Sequence, residues 1–330
     1  MYKENLPEQS HRSFSFSNIA WNIWCVASIV GIWPRYIEPR LLSTSRLTLQ
    51  IPKLPAALQG LKILQFSDLH LQPKVSDRFL NKLIRKATAL SPDIIVFTGD
   101  FVCGSRLDNP DRLRRFLCSL NAPYGNYAIL GNHDYQEYVS VNPKGDYDVI
   151  DSDATHLKKG WKRLFSTQKV NGVVTQRAQR VSKMSKLTAL LKETPFKLLH
   201  NETVQVPVRN STLNICGLGE HMLGRCQPES AFIDYDRRYP GIILTHNPDS
   251  VPYLKECPGD IILCGHSHGG QVNIPGLCHK FNVLENRNLM RGLKRIDNKW
   301  LYINRGVGGG MRFRWFSTPE LLLLTLESPS

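Results

Sequence analysis

The 330-residue chain has no Cys-x-x-Cys pair, no repeat of fixed period and no low-complexity tract. The missing period excludes solenoid and fibrous architectures. Its eight cysteines, at 25, 103, 118, 216, 226, 257, 264 and 278, stand apart from one another, several of them inside apolar runs. They read as reduced, buried thiols in a cytosolic setting, and none is assigned to a metal. Acidic residues are also short: 28 Asp and Glu against 42 Lys and Arg leave a net charge of +14. That balance favours anionic partners, whether phosphorylated substrates, nucleic acid or acidic lipid headgroups.

Charge is missing altogether between Ser13 and Trp33, and Ile19 to Trp33 is mostly apolar, with Trp21, Trp24 and Trp33 along it. The length approaches the ~20 residues that span a bilayer. Asn18, Asn22 and several serines weaken a spanning reading, and tryptophans suit an interfacial helix equally well. Membrane association is expected, with spanning and surface-lying both open. Gly31-Ile32-Trp33-Pro34 lacks a small-x-small cleavage pattern, and Glu4 and Glu8 offset Lys3 and Arg12, which argues against a cleaved signal peptide. Arg35, Arg40, Arg46 and Lys53 follow, and the positive-inside bias puts the rest of the chain on the cytoplasmic side.

Beyond a linker at Ile51 to Pro55, short apolar runs alternate with helical patterns, as in a sheet layered with helices. Strands are predicted at 61–66, 93–98, 126–130, 212–218, 241–245, 260–264, 301–304 and 321–326, enough for a two-layer core. Helices are predicted at 77–90 and 109–120, where leucines recur at helical spacing. The domain plan is a membrane-associating segment and linker at 1–50, then a catalytic domain at 51–330 with a basic insertion at about 146–197. Within that insertion, residues 156–197 carry eleven basic residues against the single acid Glu193 and read as a lid or docking arm.

Five predicted strands stop at residues able to bind a cation. The first three end in Ser67-Asp68-Leu69-His70, Gly99-Asp100 and Gly131-Asn132-His133-Asp134. The 241–245 run ends in His246, and the 260–264 run in Gly265-His266-Ser267-His268-Gly269-Gly270. Ligands of helix-flanked sheets bind at the carboxyl ends of strands, so these residues are expected to converge on one crevice. Carboxylates, imidazoles and an amide oxygen, with no thiolate, suit Mn, Fe, Zn or Mg. Asp100, alone on its strand end, is the natural bridge between two cations. Each motif alone is weak, but polar groups at five strand ends would be costly without a ligand. His11, His156, His200, His221 and His279 fall outside the pattern.

The ordered set Asp-x-His, Gly-Asp, Gly-Asn-His-Asp, His and Gly-His-x-His resembles the calcineurin-like metallophosphoesterase family over about Leu61 to Leu326. Phe66 to His70, His246-Asn247-Pro248-Asp249, Gly265 to Gln271 and Asn304 to Gly308 resemble its membrane-associated bacterial branch. The resemblance implies an α/β fold with a two-layer β-sandwich core flanked by helices, an N-terminal apolar helix and the basic insertion. It implies two divalent cations, Mn2+ first, with Mg2+, Fe2+ or Zn2+ as alternatives. One would be held by Asp68, His70, bridging Asp100 and His268, the other by Asp100, Asn132, His246 and His266. His133 would contact the scissile phosphate and protonate or stabilise the leaving oxygen, with Asp134 orienting it.

Within that branch, the implied reaction is that of the UDP-2,3-diacylglucosamine pyrophosphatases of lipid A biosynthesis, at the cytoplasmic face of a bacterial inner membrane. The implied partners are a UDP-linked acylated glucosamine lipid and a membrane lipid surface, with no specific nucleic acid. Leu157, Trp161, Leu164 and Phe165 interleave with Lys158, Lys159, Lys162 and Arg163, a mixture suited to acyl chains and headgroups. Arg312 and Arg314 near Trp315 offer a second such mixture. A broad-specificity phosphodiesterase or nuclease is the alternative that the +14 charge favours. A non-enzymatic scaffold on the same fold is the other, although no motif position is broken.

Overall fold

The computed structural model describes residues 16–150, 169–273, 284–311 and 313–329. The interleaved residues 157–165, and Arg312, lie outside the described residues. Strands β1 (Ser43–Gln50), β2 (Lys62–Phe66), β3 (Ile94–Thr98) and β4 (Asn126–Ile129) precede a small hairpin of β5 (Val139–Val141) and β6 (Tyr147–Val149). There follow β7 (Phe196–Leu198), β8 (Glu202–Val208), β9 (Ser211–Gly217), β10 (Gly241–Leu244) and β11 (Ile261–Cys264). The last three are β12 (Gly292–Ile296), β13 (Lys299–Ile303) and β14 (Glu320–Glu327). Two six-stranded sheets result, in the orders β1-β14-β2-β3-β4-β7 and β12-β13-β11-β10-β9-β8.

Residue type explains the layering. β3 reads Ile-Ile-Val-Phe-Thr and is buried along its whole length, as are Gly-Ile-Ile-Leu in β10 and Ile-Ile-Leu-Cys in β11. Such unbroken aliphatic runs suit parallel strands covered on both faces. Between the sheets, Ile63, Ile94, Val96 and Ile129 meet Ile215, Ile242, Leu244 and Leu263. Leu64, Phe66, Ile95 and Phe97 point the other way, onto leucines of α2 (Asp77–Ala89) and α3 (Pro110–Cys118). Ser76 and Asn109 cap those helices by accepting the N–H of Phe79 and Arg112. The two-layer sandwich expected from the sequence is the fold observed.

β2, β3 and β4 run parallel in one sheet, and β9, β10, β11 and β13 run parallel in the other. Their carboxyl ends therefore open on one edge of the sandwich. Beneath that edge Gln65, fully buried, donates from Nε2 to Thr98 Oγ1 and to the carbonyl of Cys264, tying the sheets together.

Three features differ from expectation. Residues 43–50, read as linker, form strand β1, parallel to β14 from Ser43↔Glu320 to Gln50↔Glu327. The described part of the basic insertion is no free arm: Ala178, Val181, Met184, Leu187 and Leu191 are buried in the core beside α3. All seven described cysteines are free, but only Cys216 and Cys264 are buried, and Cys118 is exposed.

The N-terminal helix α1 (Phe16–Ala27) continues as a π-helical segment, Ser28–Ile37. Trp21, Ile23, Trp24, Val26 and Ile29 along it are all more than half exposed. Among the described residues no helix is long and apolar enough to cross a membrane.

Candidate metal centre

The seven residues singled out as cation ligands meet at the carboxyl edge of the sheets. His70 Nε2 lies 3.1 Å from His268 Nε2, and both face Asp68 Oδ1, at 3.8 and 3.7 Å. His266 Nδ1 lies 3.1 Å from Asn132 Oδ1 and 3.3 Å from His246 Nε2. Between the two groups stands Asp100, whose Oδ2 is 3.3 Å from His70 Nε2 and 3.3 Å from His246 Nε2. Lone pairs thus crowd against lone pairs in a buried space, an arrangement that cations relieve.

Surrounding groups fix how each ligand faces. His246 Nδ1 is 2.7 Å from the Thr98 carbonyl, which takes its N–H and leaves Nε2 with the free lone pair. Asn132 donates from Nδ2 to the Val139 carbonyl, which turns its oxygen inward. Asp100 Oδ1 accepts the His133 N–H, so only Oδ2 faces the imidazoles.

Five of the seven candidate ligands, Asp68, His70, Asp100, His266 and His268, have left-handed backbone, with φ between 44° and 67°. Non-glycine residues held there cost of order 1–3 kcal/mol each and persist only where their surroundings over-determine them. Here the surroundings are backbone hydrogen bonds: Asp68 N–H to Gly99 O, His70 N–H to Asp100 O, and Leu71 N–H to Phe101 O. These carry the β2–β3 pairing past the end of the strands.

Burial sets the electrostatics. It drives the imidazoles of His70 and His266 down to about 4 and about 3, so both are neutral at physiological pH. Burial would also lower His246, but the adjoining Asp100 carboxylate outweighs it and holds His246 well above its usual range. Asp100 itself lies well below the usual carboxylate range: burial opposes this, and the imidazoles of His246, His133 and His70 overcome it.

His133 stands at the mouth, its side chain 14% exposed, with Nε2 3.9 Å from Asp100 Oδ2 and its ring 4.3 Å from that of Tyr138. Asp134 does not orient it. Asp134 Oδ2 accepts the N–H groups of Asp100 and Gly131, and Oδ1 accepts that of Val102. The His133 ring accepts the Gly104 N–H, 2.8 Å from Nδ1. Nδ1 is therefore an acceptor, and the neutral ring carries its proton on Nε2.

Several participants escaped the sequence reading. The Thr98 and Val139 carbonyls and the Gly104 N–H are backbone groups, which no residue type marks. Cys103 Sγ shares a cluster with ring nitrogens of His70 and His133, all within 4.8 Å of one another. Burial and the Asp100 charge push this thiol up to about 11. Its position three residues after Asp100 was the available signal. Glu220, buried beside the dismissed His221, uses one carboxylate oxygen to cap Met222 N–H. Arg314, grouped above with surface cations, is buried, with Nη2 3.3 Å from His268 Nδ1.

Carboxylates and imidazoles in two groups sharing one aspartate, at the carboxyl edge of a two-sheet sandwich, are the donor set of a metal-dependent phosphoesterase. The chain belongs to the calcineurin-like phosphoesterase family, whose pattern matches residues 61–270. It is 42% identical over 309 residues to the UDP-2,3-diacylglucosamine pyrophosphatase LpxG of Chlamydia trachomatis, covering 90% of this chain and 92% of that one. The Chlamydia muridarum LpxG is 41% identical with the same coverage. The Escherichia coli phosphodiesterase YaeI is 26% identical over 88% of this chain and 90% of its own. Family membership makes this a divalent-metal enzyme, and the donor set described above accommodates such ions.

Proposed function

We propose that the chain hydrolyses the phosphoanhydride of UDP-2,3-diacylglucosamine, giving UMP and 2,3-diacylglucosamine 1-phosphate for lipid A biosynthesis. Similarity to the two LpxG enzymes along nearly the whole chain supports the substrate. The observation that carries the chemistry is Asp100 Oδ2, equally 3.3 Å from an imidazole of each group. Asp68, His70, Asp100 and His268 would hold one cation, and Asp100, Asn132, His246 and His266 the other, with Mn2+ the first choice for such N and O donors. When bound, such a pair would supply Lewis acidity to the phosphoryl oxygens and lower the pKa of the attacking water.

The chain's own residues supply the rest. Asp100 keeps the two groups in register, and the Thr98 carbonyl keeps His246 in the ligating tautomer. His133, with its proton on Nε2, would hydrogen-bond the leaving oxygen and stabilise its developing charge as the water oxygen bonds to phosphorus and the bond between the phosphates breaks. His133 and His268 are the most exposed side chains of the centre, each 14% exposed, and the rest are buried.

The same reading puts the protein on the cytoplasmic face of a bacterial inner membrane. The exposed tryptophans of α1 would enter the interface, and Arg35, Arg40 and Arg46 would meet anionic headgroups. Sedimentation with vesicles containing phosphatidylglycerol tests this. Binding lost in the Trp21→Ser, Trp24→Ser double variant supports it, and equal binding by both proteins contradicts it. Substrate choice is tested by following UMP release from UDP-2,3-diacylglucosamine and from UDP-glucose in detergent with Mn2+. Release from the lipid alone supports the proposal. Cleavage of neither, with activity on a generic phosphodiester, removes the substrate and leaves the metal centre.

A further inference from the structure

Glu38 lies at the base of the N-terminal helical segment and is only 2% exposed. Its carboxylate accepts four hydrogen bonds: from Trp33 Nε1, from the N–H groups of Phe316 and Ser317, and from Thr318 Oγ1. Ser317, fully buried, has its N–H on Glu38 and its hydroxyl on the carbonyl of His268, 2.6 Å away. Arg314 is also 2% exposed, and its N–H donates to the Pro34 carbonyl of the same helical segment.

The Arg314 guanidinium continues inward. Nη1 donates to the carbonyls of Arg305 and Ser317, and Nη2 to those of Gly306 and Gly308. Nη2 also lies 3.3 Å from His268 Nδ1, a packing contact and not a hydrogen bond when Nε2 is the nitrogen that faces the cation. The loop so gathered, 305–308, abuts the other side of the centre: Val307 N–H donates to Ser67 O and Gly308 N–H to Asp68 O. Glu38, on the N-terminal segment, and Arg314, whose backbone N–H is bonded to that segment, thus reach both His268 and Asp68 through one or two intervening groups.

We propose that Glu38 and Arg314 are positioning residues of the metal centre. They set His268 and Asp68 from behind, and the base of the N-terminal helix forms part of the wall of the first cation site. This rests on the reading of His268 and Asp68 as cation ligands. Groups that orient ligands without touching the metal typically contribute about 10–100-fold to metal affinity.

The test is Mn2+ binding to the full-length, detergent-solubilised protein, by equilibrium dialysis with detection of free Mn2+ by electron paramagnetic resonance. Glu38→Gln sets an amide N–H against an N–H donor, and Arg314→Lys keeps the charge while losing the forked contacts. Ser317→Ala is the milder variant, keeping the N–H on Glu38 and losing only the hydroxyl on His268. Wild type is expected to bind two Mn2+. Each variant should bind one as tightly as wild type and the other about 10–100-fold more weakly, less so for Ser317→Ala. Excess Mn2+ should restore kcat on bis(p-nitrophenyl) phosphate. Asn214→Ala, which frees the distant 236–240 loop, should lower the melting temperature and bind both ions normally. Variants that melt lower yet bind both Mn2+ as wild type does would overturn the proposal. A wild type that binds no Mn2+ would instead overturn the metal reading, and this inference with it.

Discussion

Asp134 Oδ2 accepts the backbone N–H of Asp100 at 2.8 Å, and the same oxygen takes the N–H of Gly131 at 2.9 Å. One buried carboxylate thereby pins the two loops that deliver Asp100 and Asn132, and Asp100 sits at φ 64°, where an unassisted aspartate would not stay. In Asp134→Asn one acceptor becomes an amide N–H facing another N–H. The expected outcome is a loss of about 1–3 kcal/mol of stability in urea denaturation, together with weaker Mn2+ binding. Unchanged Mn2+ affinity would show that Asp100 needs no such pin.

His133 touches the centre from its mouth and is assigned to the leaving oxygen, outside the cation groups. His133→Ala is expected to keep both Mn2+ ions and to lose about 10²–10³-fold in kcat, the usual range for removing one donor to developing negative charge. Metal stoichiometry and turnover measured on the same preparation check this. Loss of an ion would move His133 into the ligand set.

Gly131 packs where no side chain fits. A Cβ there would lie 2.3 Å from Asp100 Oδ1 and 2.7 Å from the Asp100 nitrogen. Gly131→Ala is expected to leave the fold intact by circular dichroism and to abolish Mn2+-dependent turnover, because the displaced group is the shared aspartate. Full activity would mean that Asp100 can shift without harm.

The eight predicted strands all form, each within two residues of its expected bounds, because their aliphatic runs are covered on both faces. β1, β8 and β12 were not legible. Ser43–Gln50 reads Ser-Thr-Ser-Arg-Leu-Thr-Leu-Gln, and half-exposed outer strands of this kind carry too little apolar signal. The convergence of the seven candidate ligands was legible because they are side chains placed directly after strands. The role of Asp134 was not, because sequence adjacency to His133 says nothing of which way a carboxylate turns. Arg314 was misplaced for a related reason: a cation beside tryptophan resembles a surface mixture until the chain folds Glu38 and His268 around it.

His200 provides a pH signature away from the centre. Burial, with Lys183 and Arg225 nearby, lowers it to about 4, against about 6.5 for an exposed imidazole. Between those values the unfolded chain binds the extra proton, so stability is fully present above about 6.5 and falls as pH drops towards about 4. The melting temperature of wild type is therefore expected to fall more steeply over this window than that of His200→Gln. Parallel curves would contradict the assignment.

The central claim is that one aspartate, shared by two cation groups, makes this chain a phosphoanhydride hydrolase. The most direct measurement is UMP release from UDP-2,3-diacylglucosamine by wild type and Asp100→Ala, with bound Mn2+ counted in both. The account predicts two Mn2+ and UMP release for wild type, and loss of both paired binding and turnover in Asp100→Ala. UMP release by a folded Asp100→Ala protein at the wild-type rate would contradict it.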